Sequence, residues 1–84
     1  MADILYFARL AEALERKSEQ LALPADCTTV ADLVNLLRAR GEPFDSALDG
    51  STPVLIAINQ EMGEIGSEIS DADEIAFFPP VTGG

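Results

Sequence analysis

The chain has 84 residues, enough for one domain that buries about 60–65% of its unfolded surface and too few for two. Fifteen acids against five bases leave a net charge of −10, which argues against a nucleic-acid partner and for a basic protein surface. With no histidine and a single cysteine, Cys27, an intramolecular disulfide, the usual zinc spacings and any Ser-His or Cys-His pair are excluded. The longest apolar run, Val54 to Ile58, is far short of the roughly 18 residues of a membrane span, and the acidic start Met1-Ala2-Asp3 lacks the basic flank and apolar stretch of a secretory signal. A cytoplasmic protein with no membrane contact is expected.

Asp3-Ile4-Leu5-Tyr6-Phe7 is a compact apolar and aromatic run that predicts a first strand. From Arg9 to Arg16, Leu10, Ala11 and Leu14 recur at helical spacing, so a short amphipathic helix follows. Ser18 to Leu23 alternates and closes at Pro24, which predicts a second strand. At Thr29 the pattern Thr-x-x-Asp32 resembles a capping box, and Val30, Leu33, Val34 and Leu37 mark a helix whose end carries Arg38 and Arg40 before a C-cap at Gly41. Pro43 to Gly50 reads as an irregular connection with one helical turn over Asp45 to Leu48. The β-branched run Val54 to Ile58 predicts a central strand covered on both faces. Glu61 to Ile69 reads as loop with a short strand, Ser70 to Asp73 as a turn, and Glu74-Ile75-Ala76-Phe77-Phe78 as the last strand, ended by Pro79-Pro80. Three or four strands with one main helix between the second and third make an α+β domain of β-grasp order over residues 1–78, with a mixed sheet packed on that helix.

Residues 79–84, Pro-Pro-Val-Thr-Gly-Gly, are then expected to form a flexible tail. The prolines hold the backbone extended, and four further residues reach about 13–14 Å. Gly83 and Gly84 have no side chain, so the last carbonyl could enter a channel too narrow for a Cβ. A carboxylate there is a poor electrophile, and acyl chemistry would need activation by ATP to an adenylate before a sulfur donor attacked. The chain reads as a substrate for other proteins.

These features resemble the small sulfur-carrying subunit of molybdopterin synthase, a ubiquitin-like family. The likeness runs through LYFARLAEAL (5–14), TTVADLVNLLRARG (28–41), LIAINQE (55–61) and DEIAFFPPVTGG (73–84). It implies that Gly84 is adenylated by an adenylyltransferase of the ubiquitin-activating type, converted to a thiocarboxylate and inserted into a large catalytic subunit. There its sulfur passes to cyclic pyranopterin monophosphate, in a heterotetramer of two small and two large subunits. By that likeness Gly83, Thr82, Val81 and Pro80 lie in the partner's channel, no cofactor is bound permanently, and the carrier itself is not an enzyme. Two departures stand out: Ala72 replaces the glycine common in the turn, and Ala11 replaces a frequent basic residue. Rival readings are a carrier for thiamine or tRNA thiolation, a ubiquitin-like modifier of lysines, and an interaction module with an inert tail.

Adjacent strand residues point to opposite faces, so one of Phe77 and Phe78 joins the core and the other is a candidate partner anchor. The family likeness tilts the anchor to Phe78. Phe7 shares the ambiguity: it is placed nearer the core, yet stands with Phe78 as a candidate interface residue. Cys27 reads as a packed or idle thiol, with Asp26 nearby and no base. Asp45-Ser46 could suggest a phosphopantetheine carrier, but that scaffold is all helical and the strand-like segments contradict it. The remaining acids are scattered without metal-ligand spacing and form a solvated surface that steers the chain toward basic partners.

Overall fold

The computed structural model describes residues 1–80. The elements in chain order are β1 (Ala2–Tyr6), α1 (Ala8–Leu14), β2 (Ser18–Leu21), α2 (Val30–Arg38), α3 (Phe44–Ala47), β3 (Leu55–Ile58), β4 (Glu61–Gly63) and β5 (Glu74–Phe78). They form one five-stranded sheet in the order β2-β1-β5-β3-β4. The last strand is thus the middle one. It runs parallel to β1, with Tyr6 opposite Phe77, and antiparallel to β3, with Leu55 opposite Phe78.

Strand alternation sorts the residues. Ala2, Ile4 and Tyr6 of β1, Ile56 of β3, and Ile75 and Phe77 of β5 point to one side and are buried there with Leu10 and Leu14 of α1, Val30, Leu33 and Leu37 of α2, and Phe44. All three helices therefore contribute to the core on the same face of the sheet. The opposite face carries no helix among the described residues, and Leu5, Leu55, Ala57, Ala76 and Phe78 lie on it.

This explains a difference at Val54 to Ile58. The expected central strand, covered on both sides, is β3, one place from the sheet edge, with only Ile56 buried and Leu55, Ala57 and Ile58 half-buried. Its continuous apolar run serves two surfaces, one packed and one bare.

The ends of α2 follow local chemistry. The Thr29 hydroxyl accepts from the Asp32 N–H at 3.2 Å, and Asp32 Oδ2 accepts from the N–H groups of Thr29 at 3.1 Å and Thr28 at 3.0 Å, which is the expected reciprocal box. These bonds hold the Asp32 carboxyl below its ordinary range, the Thr28 N–H contributing most. The helix stops at Ala39 in right-handed geometry, and the left-handed reversal follows at Gly41, as expected, at φ 88°. The single turn after Pro43 falls on Phe44–Ala47, one residue earlier than expected, because Phe44 is an inward anchor: it packs edge-on against Tyr6 at 6.3 Å. α1 ends sooner than expected, where Glu15 adopts φ 55° and donates back into the last turn. Ala72 has no positive φ, so the turn from Ser70 to Asp73 forms without glycine, closed by Ser70 N–H to Asp73 Oδ2 at 2.8 Å and Asp73 N–H to the Ser70 carbonyl at 3.1 Å.

At one end of the covered face, the Tyr6 hydroxyl donates to Glu19 Oε2 at 2.8 Å, while Arg40 and Arg16 approach the same carboxylate at 2.9 and 3.4 Å. Burial, reinforced by the Glu19 carboxylate, pushes the Tyr6 phenol well above its usual range. The guanidiniums of Arg16 and Arg40 also stand over the Phe44 ring, at 5.1 and 4.9 Å respectively. Phe44 and Glu19 thereby join the ends of α1 and α2 to β1 and β2.

Candidate functional site

Pro79 and Pro80 leave from the middle strand of the sheet. β5 is paired on both sides to its last residues, and the Phe7 N–H donates to the Phe77 carbonyl at 3.1 Å just before the exit. Pro79 and Pro80 follow, both half-buried. Pro79 lies along a cleft shared with Arg9, Leu10, Thr52, Pro53 and Val54. Since proline has no N–H, neither residue can extend the ladder beyond Phe78. Val81, Thr82, Gly83 and Gly84, the sequence-predicted reactive end and channel residues, lie outside the described residues.

The two phenylalanines divide as strand parity requires. Phe77 is fully buried and stacks on Tyr6 at 6.1 Å, with ring planes 16° apart. Phe78 is half-buried on the open face. There it lines a shallow groove with Phe7, Ala57, Gln60, Glu74 and Ala76.

Phe7 corrects the expectation that placed it nearer the core. It is 49% exposed, because β1 turns its even-numbered residues inward and Ala8, at φ 54°, swings the chain into α1 directly after it. The exposure is compatible with its other assignment, as an interface candidate. Leu5, Leu55, Met62 and Gln60 were not singled out from the sequence. Alternation within each strand could have found the first two once β1 and β3 were known to share a sheet, and Met62, opposite Ala57 and 66% exposed, follows from the hairpin register.

Among the described residues no Lys or Arg lines this groove, although Lys17 lines an adjoining cleft with Leu5 and Phe7. Arg38 is paired with Asp45 at 2.8 Å, and Arg16 and Arg40 are committed to Glu19, so three of the five bases are engaged internally on or near the helix side. Cys27 is buried, and desolvation raises its thiol above the ordinary value, with Asp32 and Asp26 adding to the effect, which leaves it protonated and inert at neutral pH. Among the described residues no cluster of three or more acids or cysteines is placed to hold a metal ion, and no helix is long and apolar enough to cross a membrane.

A mixed sheet gripping its helices on one face, with the middle strand running out through two prolines beside a bare apolar patch, defines a ubiquitin-like β-grasp protein. The solved structure of SAMP1 from Haloferax volcanii is similar, with a TM-score of 0.74 and 28% identity over 99% of this chain and 98% of that one. The molybdopterin synthase sulfur carrier subunits of Escherichia coli and Haemophilus influenzae are each 36% identical over the full length of both chains. The ThiS family model matches residues 4–84, and the chain belongs to that family.

Proposed function

We propose that this chain is the sulfur carrier of a molybdopterin synthase, with residues 1–78 as the grip and residues 79–84 as the reactive arm. An adenylyltransferase of the ubiquitin-activating type binds the body and presents the Gly84 carboxylate to ATP. The carboxylate attacks the α-phosphate, pyrophosphate leaves, and a sulfur donor then displaces AMP at the acyl carbon to give a thiocarboxylate. Inside the large subunit the thiocarboxylate gives its sulfur to cyclic pyranopterin monophosphate. The chain supplies no general acid or base in this scheme. It supplies a carbonyl without neighbouring side chains, on an arm whose root is fixed by β5.

The observation that carries this reading is the junction at Phe78: a strand paired on both sides runs into Pro79-Pro80 next to an apolar groove that offers a partner Phe78 and Phe7. The two full-length relatives are named as carriers of this kind. Phe78 and Phe7 then form the docking surface, while Pro80, Val81, Thr82 and Gly83 thread the channel. The scattered acids accelerate encounter with basic rims.

Incubation with the adenylating enzyme, ATP and a sulfide-level donor tests the chemistry by intact mass. Replacement of one oxygen by sulfur at Gly84 is expected, and Gly84 deletion is expected to abolish both the mass change and molybdopterin formation while leaving thermal stability unchanged. An unmodified wild-type chain under these conditions would falsify the proposal. The likeness to SAMP1, a small archaeal modifier protein, favours one further reading, attachment of Gly84 to lysines of other proteins. Covalent adducts that disappear with Gly84 deletion would identify that outcome.

A further inference from the structure

The turn between β3 and β4 is built against backbone preference, and among the described residues only one of its two positions has hydrogen bonds that account for it. Ile58 and Glu61 are the closing pair of the hairpin, which leaves Asn59 and Gln60 as the loop. Both have positive φ, 51° and 70°, as a two-residue hairpin turn of the favoured twist requires. Asparagine tolerates this region. The second position is ordinarily glycine, because a Cβ there crowds the following carbonyl.

Asn59 is held by its neighbours. Its Nδ2 donates to Asp73 Oδ1 at 3.0 Å, its Oδ1 accepts from the Glu74 N–H at 3.0 Å, and its own N–H donates to the Glu74 carbonyl at 2.8 Å. Those bonds fasten the turn to the start of β5 and account for the residue. Gln60 has no such account. It is exposed, and its carboxamide takes part in no hydrogen bond among the described residues. Where it does stand is in the open-face groove, which it lines together with Phe7, Ala57, Ala76 and Phe78. Strain retained without a partner among the described residues, at the margin of an apolar groove, points to an intermolecular one.

We propose that Gln60 is a recognition residue: as the large subunit covers Phe7 and Phe78, the Gln60 carboxamide pairs with the main-chain N–H and C=O of one exposed, extended residue of that subunit. The inference rests on the carrier reading above and adds a specificity element to it. Such a residue suits Gln60 because a carboxamide offers an N–H donor and a carbonyl acceptor side by side, the complement of the N–H and C=O that one residue of extended backbone turns to the same side. A basic partner side chain would be met better by a carboxylate, such as Glu74 in the same groove. Once the groove is covered, a partner lacking an extended residue at that place would leave the carboxamide desolvated and unpaired, which disfavours the wrong partner more strongly than the pairing favours the right one.

Two variants of the full chain separate strain from recognition, with affinity for the purified large subunit measured by calorimetry and stability by thermal unfolding. Gln60→Gly removes the strain and the amide together: the melting temperature is expected to rise by roughly 4–8 °C while affinity falls about tenfold. Gln60→Ala keeps the Cβ and removes only the amide, so affinity falls similarly with the melting temperature near wild type. Wild-type affinity in either variant overturns the inference alone, as does a lowered melting temperature for Gln60→Gly, which would mean that no strain is present. Failure of the unmodified chain to bind the large subunit overturns the carrier reading and this inference with it.

Discussion

Phe77 and Phe78 are the same side chain one residue apart, and the sheet assigns them opposite duties. On the covered face, Phe77 has no exposed surface and stacks against Tyr6, whose hydroxyl is tied through Glu19 to Arg40. On the open face, Phe78 is half-buried beside Phe7, with Met62 more exposed still. Apolar surface thus contributes to stability on one side and stays available on the other, where the acids Asp3 and Glu74 lie beside it. One strand can in this way anchor the body and present the proposed docking surface at the root of the proposed reactive arm, and the two properties should respond to mutation separately.

Phe77→Ala is the largest effect expected. It removes a fully buried ring from the middle strand and leaves a cavity beneath Tyr6, at a cost of about 3–5 kcal/mol. Against a total stability of about 5–15 kcal/mol for a domain, that loss shifts the denaturant midpoint sharply and lowers binding only through unfolding. Phe78→Ala should do the reverse. Stability changes by about 1 kcal/mol or less, while affinity for the large subunit drops about 10- to 100-fold, the range of an aromatic anchor. Equal destabilisation by the two substitutions would mean that the open face is structural, and the distinction between the faces would be lost.

How much of this was legible beforehand depends on the range of each interaction. β5 was readable residue for residue, because an apolar run between turn chemistry and a double proline is a local signal. The box at Thr29 and Asp32 was readable for the same reason. The position of β5 in the centre of the sheet was not, since pairing with β1 joins residues about seventy apart in the chain and leaves no trace in spacing. The same blindness explains Phe7: its parity with Leu5 was visible, but which parity faced the helices required the fold. It also explains Glu19, read only as a surface acid, which proves to be the shared partner of Tyr6, Arg16 and Arg40. At the candidate site, the chemistry of Gly84 could be argued from residue type alone, whereas Gln60 became visible only through its backbone geometry.

The smallest expected effect sharpens the contrast by pH. Asp32 is held below the ordinary aspartate value near 4 chiefly by the Thr28 N–H, with the Thr29 hydroxyl and N–H following, and Asp73 and Asp71 are lowered similarly by their own hydrogen-bond donors. A carboxyl whose folded value lies below its unfolded value stabilises the fold at pH above the unfolded value, and that contribution disappears as pH falls through the folded one. The melting temperature should therefore hold steady from pH 7 to about 5 and decline below about 4. Asp32→Ala lowers it at neutral pH, and the gap to wild type narrows in acid, because the wild-type carboxylate is then protonated and accepts its hydrogen bonds less strongly. Phe78→Ala carries no charge change, so its small gap should stay constant over the same range. A gap for Asp32→Ala that was equally constant would show that the start of α2 is secured by packing of Val30 and Leu33 rather than by its ionised cap, and would move one more part of the covered face from electrostatics to burial.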